Sequence, residues 1–270
     1  MKEILSVFSG IGGLCQMGIK EAGLSDQFQV AQFVESDRFR CSVLNKHYPH
    51  TPIHNDIRTY HPTFKPFVVV GGVPCRGTSN AGNRDGLNNQ HSGLWFEMLR
   101  VIAEAQPQFV IIENPVGLID RGLRAILGGL RMVGYTCVTP LFVSASQLGA
   151  PHKRERLFII AYADGACTGI DQLQTARERQ AGTSAEENWH DWTGGGQSSE
   201  LSRVDVRIPS ELHRGGWWRH NSPSVISAPS RSIRDRYARI AALGDSCTPQ
   251  QAAVAWKRLY HLSILESANV

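Results

Sequence analysis

Five short apolar runs punctuate the first 163 residues: ILSVF at 4–8, VAQFV at 30–34, FVVV at 67–70, FVII at 109–112 and LFIIAY at 157–162. Each is continuous rather than alternating, the pattern of a strand buried on both faces. Between them lie stretches with helical spacing at 14–21, 38–46, 94–105 and 123–133. In the third, Leu94, Met98, Val101 and Ile102 fall on one side of a helix and predict a core-facing stripe. The order of elements predicts an α/β fold, one sheet with helices on both faces.

The texture changes at Asp164. From there to about Gly216 the chain is rich in Gly, Ser, Thr, Gln and charge, includes Gly-Gly-Gly at 194–196, and loses its periodicity, which predicts a loop-rich insert. Order is expected again from Trp217 and Trp218, through a basic stretch at Arg231 to Arg239, to a helical tail from Thr248 to about Leu265. Three segments follow: 1–163, 164–216 and 217–270.

Composition narrows the class. With 41% hydrophobic and 19% charged residues, the 270-residue chain can bury a core, which excludes a wholly disordered protein. No apolar run approaches the roughly 20 residues that cross a bilayer, and the N-terminus lacks a cleavable apolar core, so a soluble, cytoplasmic protein, expected to be a monomer, is predicted. The six cysteines form no Cys-x-x-Cys pair, which argues against a zinc ribbon or a disulfide scaffold, and no metal site is predicted. A net charge of +4 is compatible with a polyanionic partner.

The first apolar run leads directly into Ser9-Gly10-Ile11-Gly12-Gly13-Leu14 and then a helix. Glycines there let the backbone turn sharply and approach a ligand with no Cβ in the way. Glu35 closes the second run about 20 residues on, where an acid in such folds accepts hydrogen bonds from ribose hydroxyls, and Asp56 lies in the polar HNDI segment. The bend is shorter than a dinucleotide-binding Gly-x-Gly-x-x-Gly and no phosphate loop occurs, which favours a nucleoside ligand lacking pyrophosphate.

The run FVVV ends in Gly71-Gly72-Val73-Pro74-Cys75, so a buried strand delivers one thiol to a long polar loop near Arg76 and Arg84. That setting makes Cys75 the nucleophile candidate, whereas Cys15, Cys41 and Cys137 are expected to be structural. FVII ends in Glu113-Asn114-Pro115, placing a carboxyl group at another strand end; if burial raises its pKa it can donate a proton to a ring nitrogen.

Together FSGIGGL (8–14), VESD (34–37), NDI (55–57), GGVPC with S-x-A-G-x-R-x-G-L (71–87), ENP (113–115), LGAPHKRERLFIIA (148–161) and LGDSCTPQQAAVAW (243–256) closely resemble the motifs of DNA (cytosine-5)-methyltransferases. The resemblance covers residues 1–163 and about 217–258. It implies a Rossmann-like, S-adenosylmethionine-dependent methyltransferase sheet with a small recognition insert. In that organisation 1–163 binds cofactor and carries catalysis, 164–216 recognises the target, and 217–270 returns to the catalytic domain. The implied cofactor contacts are Phe8, Ser9, Gly10, Ile11, Gly12, Gly13, Leu14, Glu35, Asp56, Ile57, Pro74, Asp245 and Ser246, with Glu35 on the ribose and Asp56 on the adenine amino group.

The implied catalytic set is Cys75, which attacks carbon 6 of a flipped cytosine; Glu113, which protonates ring nitrogen 3; Arg156, on the cytosine carbonyl oxygen; and Arg154, a cation that favours thiolate. Double-stranded DNA is the implied partner, and a cognate restriction endonuclease of a restriction-modification system is a further one. A tRNA cytosine-5 methyltransferase and a non-catalytic DNA-binding relic are the alternatives. Three positions depart from the family pattern: Arg76 stands where Gln is common, Pro115 where Val is common, and Asp245 where Asn is usual. A carboxylate at 245 is expected to repel the methionine carboxylate of the cofactor. Arg203, Arg207, Arg214, Arg219, Arg231, Arg234, Arg236 and Arg239, with Trp217 and Trp218 among them, suit phosphate contacts and base stacking, or else a solvated face and core tryptophans.

Overall fold

The computed structural model describes residues 1–74, 93–165 and 236–267. Residues 75–92 with Cys75, Arg76 and Arg84, the expected recognition insert from residue 166 onward, Trp217, Trp218 and the arginines from Arg203 to Arg234 lie outside the described residues. Among the described residues the strands are β1 (Lys2–Val7), β2 (Phe28–Val34), β3 (Ile53–His54), β4 (Val68–Gly72), β5 (Phe109–Pro115), β6 (Tyr135–Cys137), β7 (Leu141–Val143) and β8 (Arg156–Ala163). They form one sheet in the order β3-β2-β1-β4-β5-β8-β6, with β7 also paired to β8. All five apolar runs fall on strands. The three strands that the apolar pattern did not predict, β3, β6 and β7, have two or three residues each, too few to show a period.

Alternate strand residues divide between two cores. Ile4, Val68, Val70, Phe109, Ile111, Phe158 and Ile160 belong to one, and Leu5, Val7, Val69, Val110, Ile112, Leu157 and Ile159 to the other. This two-sided burial explains why the runs are continuous. The second core is covered by α3 (Gly93–Ala105) and α5 (Leu123–Met132), which contribute Trp95, Met98, Val101, Ile126 and Leu130. The first is covered by the long C-terminal helix α7 (Pro249–Ser267), whose Trp256 and Leu259 are fully buried. The remaining helices are α1 (Gly18–Glu21), α2 (Arg38–His47), α4 (Leu118–Arg121) and α6 (Arg236–Asp245).

The start of α7 is written locally. Thr248-Pro249-Gln250-Gln251 is a capping box: the Gln251 N–H donates to Thr248 Oγ1 at 3.3 Å, the Thr248 N–H donates to Gln251 Oε1 at 3.1 Å, and proline takes the first helical position. Its docking needs close approach to α1. A Cβ on Gly18 would stand 2.6 Å from the Ala252 Cβ, and Trp256 Nε1 donates to the Leu14 carbonyl at 2.7 Å. Truncating a tryptophan buried this way costs about 3–5 kcal/mol.

Strand direction positions the site. β3, β2, β1, β4 and β5 are mutually parallel, so their carboxyl ends gather on one edge, where open α/β sheets bind ligands. β8 runs antiparallel to β5, with Arg156 opposite Pro115. The first residue of β8 therefore reaches the same edge as the last residues of the parallel strands.

Candidate active site

At the end of β1 the backbone enters the left-handed region three times within five residues, at Phe8 (φ 50°), Gly10 (φ 58°) and Gly12 (φ 83°). For Phe8 this is strained, of order 1–3 kcal/mol, and it persists because neighbours hold it. The Ser9 N–H donates to the Val34 carbonyl at 3.2 Å and Ser9 Oγ to the Ser6 carbonyl at 2.8 Å. Past Gly12 the chain makes one π-helical turn, Gly13–Met17, before α1, with the Met17 N–H on the Gly12 carbonyl at 3.0 Å. The expected helix over 14–21 is thus split, because its first turn is wound around the bend. Space beside Gly10 is open for 4 Å around an added Cβ, as a ligand cradle requires.

Glu35 closes this bend from β2. One carboxylate oxygen accepts the Gly10 N–H at 2.7 Å and the other the Asp37 N–H at 2.9 Å. The group is buried, and burial pushes its pKa up while the two backbone donors pull it down. Each oxygen keeps a second lone pair, so two hydroxyl donors can still be accepted. Asp37 caps α2 by accepting the Arg40 N–H at 2.9 Å. Cys41, expected to be structural, is partly exposed, and its thiol donates to the Glu35 carbonyl at 3.1 Å; Cys137 is partly buried and only Cys15 of the three is fully buried.

Asp56 caps the short 3₁₀ turn Ile57–Thr59 by accepting the Arg58 N–H at 3.0 Å, with its side chain 45% exposed and Ile57 buried beneath. An unforeseen residue holds this turn. Arg100 on α3 donates to the Ile57 carbonyl at 2.7 Å and the Tyr60 carbonyl at 3.1 Å, and is charge-paired with Glu97 and Glu104 at 2.9 Å each. The i,i+3 and i,i+4 spacing of the acids is visible in the sequence, but the carbonyls that the guanidinium reaches are not.

The acid expected at the end of β5 is buried. Glu113 meets Arg156 Nε at 2.8 Å, an ion pair without the alignment of a hydrogen bond. Burial pushes the Glu113 carboxyl up to about 7, against the pull of Arg156 and Arg154. Gly72 lies opposite Glu113 on β4, and a Cβ there would stand 2.9 Å from Glu113 Oε2. At Gly71 a Cβ would meet the Val7 carbonyl at 2.6 Å. The paired glycines before Val73 and the half-buried Pro74 thus leave room for the carboxylate and for close strand packing, in the segment that leads to Cys75.

The last turn of α6 and the short link to α7 cross from this pair to the glycine bend. Arg154, itself at φ 39°, donates to the carbonyls of Leu243 (2.7 Å), Gly244 (2.8 Å) and Ser246 (3.1 Å from Nε). Ser246 lies against Gly13, where an added Cβ would overlap its Oγ. Asp245 is ion-paired with Arg40 of α2, so the carboxylate whose repulsion was expected has a counter-charge on the opposite wall. The Gln251 amide donates to the Val143 carbonyl at 2.8 Å and the Arg154 carbonyl at 2.5 Å, tying α7 to the start of β8. Buried Cys247, on the same crossover, has its thiol pushed well up, first by burial and then by Glu113. The structure therefore brings Phe8 to Leu14, Glu35, Asp56, Ile57, Glu113, Arg154, Arg156, Asp245 and Ser246 to one edge of the sheet. Arg40, Arg100 and Gln251 are the residues that sequence reasoning missed.

The model of the family of C-5 cytosine-specific DNA methylases matches residues 2–193. The chain belongs to this family. Among curated relatives, the Type II methyltransferase M.Eco47II of Escherichia coli is 32% identical over 178 residues, 62% of this chain and 41% of that protein. M.AquIA of a Picosynechococcus strain is 33% identical over 181 residues, 59% of this chain and 71% of that protein. The chain spans about two fifths of the length of M.Eco47II and similar relatives. A DNMT2 variant from Spodoptera frugiperda shares the fold of this methylase-family chain, with 20% identity and a TM-score of 0.51 over 61% of this chain and 51% of its own. No helix among the described residues is long and apolar enough to cross a membrane.

Proposed function

We propose that the protein transfers a methyl group from S-adenosylmethionine to carbon 5 of a cytosine extruded from double-stranded DNA. The observation that carries this reading is the buried Glu113–Arg156 pair, with its carboxyl near neutrality, beside the strand that runs into Cys75. Family membership and the names of the Type II relatives support the substrate class, and suggest a restriction endonuclease as a companion.

The residues present fit the donor. Open space beside Gly10, free lone pairs on Glu35 and the capped turn at Asp56 suit a nucleoside, with Glu35 on the ribose, Asp56 and Ile57 at the adenine, and Asp245 and Ser246 at the amino-acid end. When bound, S-adenosylmethionine supplies a methyl on a sulfonium, which departs as a neutral thioether.

The remaining chemistry belongs to the chain. The Cys75 thiolate forms a bond to carbon 6 of the ring, and the electron pair displaced from the 5,6 double bond moves through the ring to nitrogen 3. Glu113, protonated at the start, gives its proton to that nitrogen, which leaves carbon 5 electron-rich as an enamine. A carboxyl held near 7 is a competent donor at neutral pH, and Arg156 compensates the carboxylate once the proton has left. After methylation, water removes the carbon 5 proton, nitrogen 3 returns its proton to Glu113, and the sulfur–carbon 6 bond breaks to restore the thiolate. Extrusion of the base costs a few kcal/mol of stacking, offset by contacts in the cleft.

A duplex carrying 5-fluorocytosine tests this. Carbon 5 then holds no removable proton, so the reading expects a stable covalent adduct with the full chain in the presence of S-adenosylmethionine. Cys75→Ala is expected to form none and to lose methyl transfer by roughly 10⁴-fold or more, with donor binding retained. Turnover by that variant, or preference for tRNA over the duplex in competition, would falsify the assignment.

A further inference from the structure

Arg40 and Asp245 are separated by 205 positions and meet across the cleft as an ion pair. Arg40 stands on the first turn of α2, just past Glu35 on the nucleoside wall, and its charge is felt at Glu35. Asp245 is the last residue of α6, whose final carbonyls Arg154 holds, and it adjoins Ser246, which presses against Gly13. The side chains are 24% and 66% exposed, respectively. Solvent-accessible pairs of this kind add little to folding, so stability alone is a weak reason for it. Its position is more telling, because one positive and one negative group stand side by side between Glu35, five residues before Arg40, and Ser246, which lies against Gly13 of the bend.

The amino-acid end of S-adenosylmethionine is a zwitterion, an ammonium and a carboxylate on one carbon. Building on the donor assignment above, we propose that Arg40 and Asp245 are the specificity pair for this zwitterion, with Arg40 taking its carboxylate and Asp245 its ammonium in place of each other. The exchange swaps one oppositely charged partner for another on each side, so neither charge is left bare. It also reverses the expectation drawn from the carboxylate at 245 alone. The group is an attractive element, because an ammonium lies beside the donor's carboxylate and because Arg40 is at hand.

Calorimetric titration of the full-length protein with two ligands tests the pair. S-adenosylmethionine carries the zwitterion; 5′-methylthioadenosine has the same nucleoside and sulfur without it. The proposal expects Arg40→Gln to weaken S-adenosylmethionine by about tenfold and Asp245→Asn by about threefold, the smaller loss reflecting the more exposed group. Both variants are expected to bind methylthioadenosine as the unaltered protein does, which also shows that they are folded. Equal weakening of the two ligands would make the pair a structural clasp and overturn the proposal, as would tighter S-adenosylmethionine binding by Asp245→Asn. If the unaltered protein binds neither ligand, the donor assignment itself falls.

Discussion

Two carboxylates at the same depth end neighbouring parts of one sheet, and their surroundings differ in kind. Glu35, at the end of β2, is held by two backbone N–H groups at 2.7 and 2.9 Å. Glu113, near the end of β5, is paired with the Arg156 guanidinium at 2.8 Å and feels the charge of Arg154 as well. Both are 6% exposed. Backbone donors cannot give up their protons or move away, so they suit a carboxylate that stays an acceptor through a reaction cycle. A buried ion pair balances desolvation against charge, and at Glu113 desolvation outweighs Arg156 and Arg154 and leaves the carboxyl at about 7. Equal burial thus leaves a carboxylate held by backbone donors at one strand end and, at the other, a carboxyl raised to about 7, as the proposed proton donation requires.

The sharpest way to break this comparison is Glu113→Gln. An amide keeps the size but cannot give a proton away, so kcat is expected to fall by about 10²–10³-fold while donor affinity stays within twofold. The pH dependence separates the residues further. Glu113 is raised above its ordinary 4.5, so between about 4.5 and 7 the native protein holds a proton that the unfolded chain has released. Its stabilising contribution is present below 4.5 and lost as pH rises through 7. Denaturant unfolding of the wild type against Glu113→Gln, at pH 5 and pH 8, is expected to show the wild type losing up to about 3 kcal/mol relative to the variant. A constant gap would return Glu113 to an ordinary carboxylate.

A smaller and opposite effect is expected at the other strand end. Glu35→Gln removes a charged acceptor from the proposed nucleoside site but leaves the Glu113–Arg156 pair intact. Donor affinity should drop by about tenfold with kcat at saturating donor unchanged, and a kcat loss as large as that of Glu113→Gln would erase the distinction. Smallest is Arg100→Gln, which loosens the Asp56 turn without touching a ligand. A KM for the donor raised about threefold, with kcat and the DNA KM unaltered, fits a positioning role; steady-state kinetics with each substrate varied would expose a general loss instead.

Much of this is legible in the amino-acid sequence. The apolar runs became β1, β2, β4, β5 and β8, the spacing of Leu94, Met98, Val101 and Ile102 became α3, and Gly10 and Gly12 occupy the left-handed backbone that their bend suggested. The motifs that identify Glu35, Asp56, Glu113 and Arg156 lie on one edge of the sheet. Less was visible of what holds these residues. Arg100 reaches back 43 and 40 positions to two carbonyls, and no side-chain pattern encodes a backbone acceptor. In the sequence the paired glycines at 71 and 72 mark only the strand end that leads to Cys75, although one leaves room for the Glu113 carboxylate and the other for Val7.

The sequence by itself determined which segments are buried on both faces, where the backbone must bend without a Cβ, and which acids and arginines are available, because each is a property of a residue and its near neighbours. Only the tertiary structure decided that β8 runs against β5 and so sets Arg156 on Glu113, that burial brings that carboxyl to about 7, and that Arg40 finds Asp245. A continuous apolar run encodes burial but not direction, and the charge state of a buried group depends on every partner that folding brings to it.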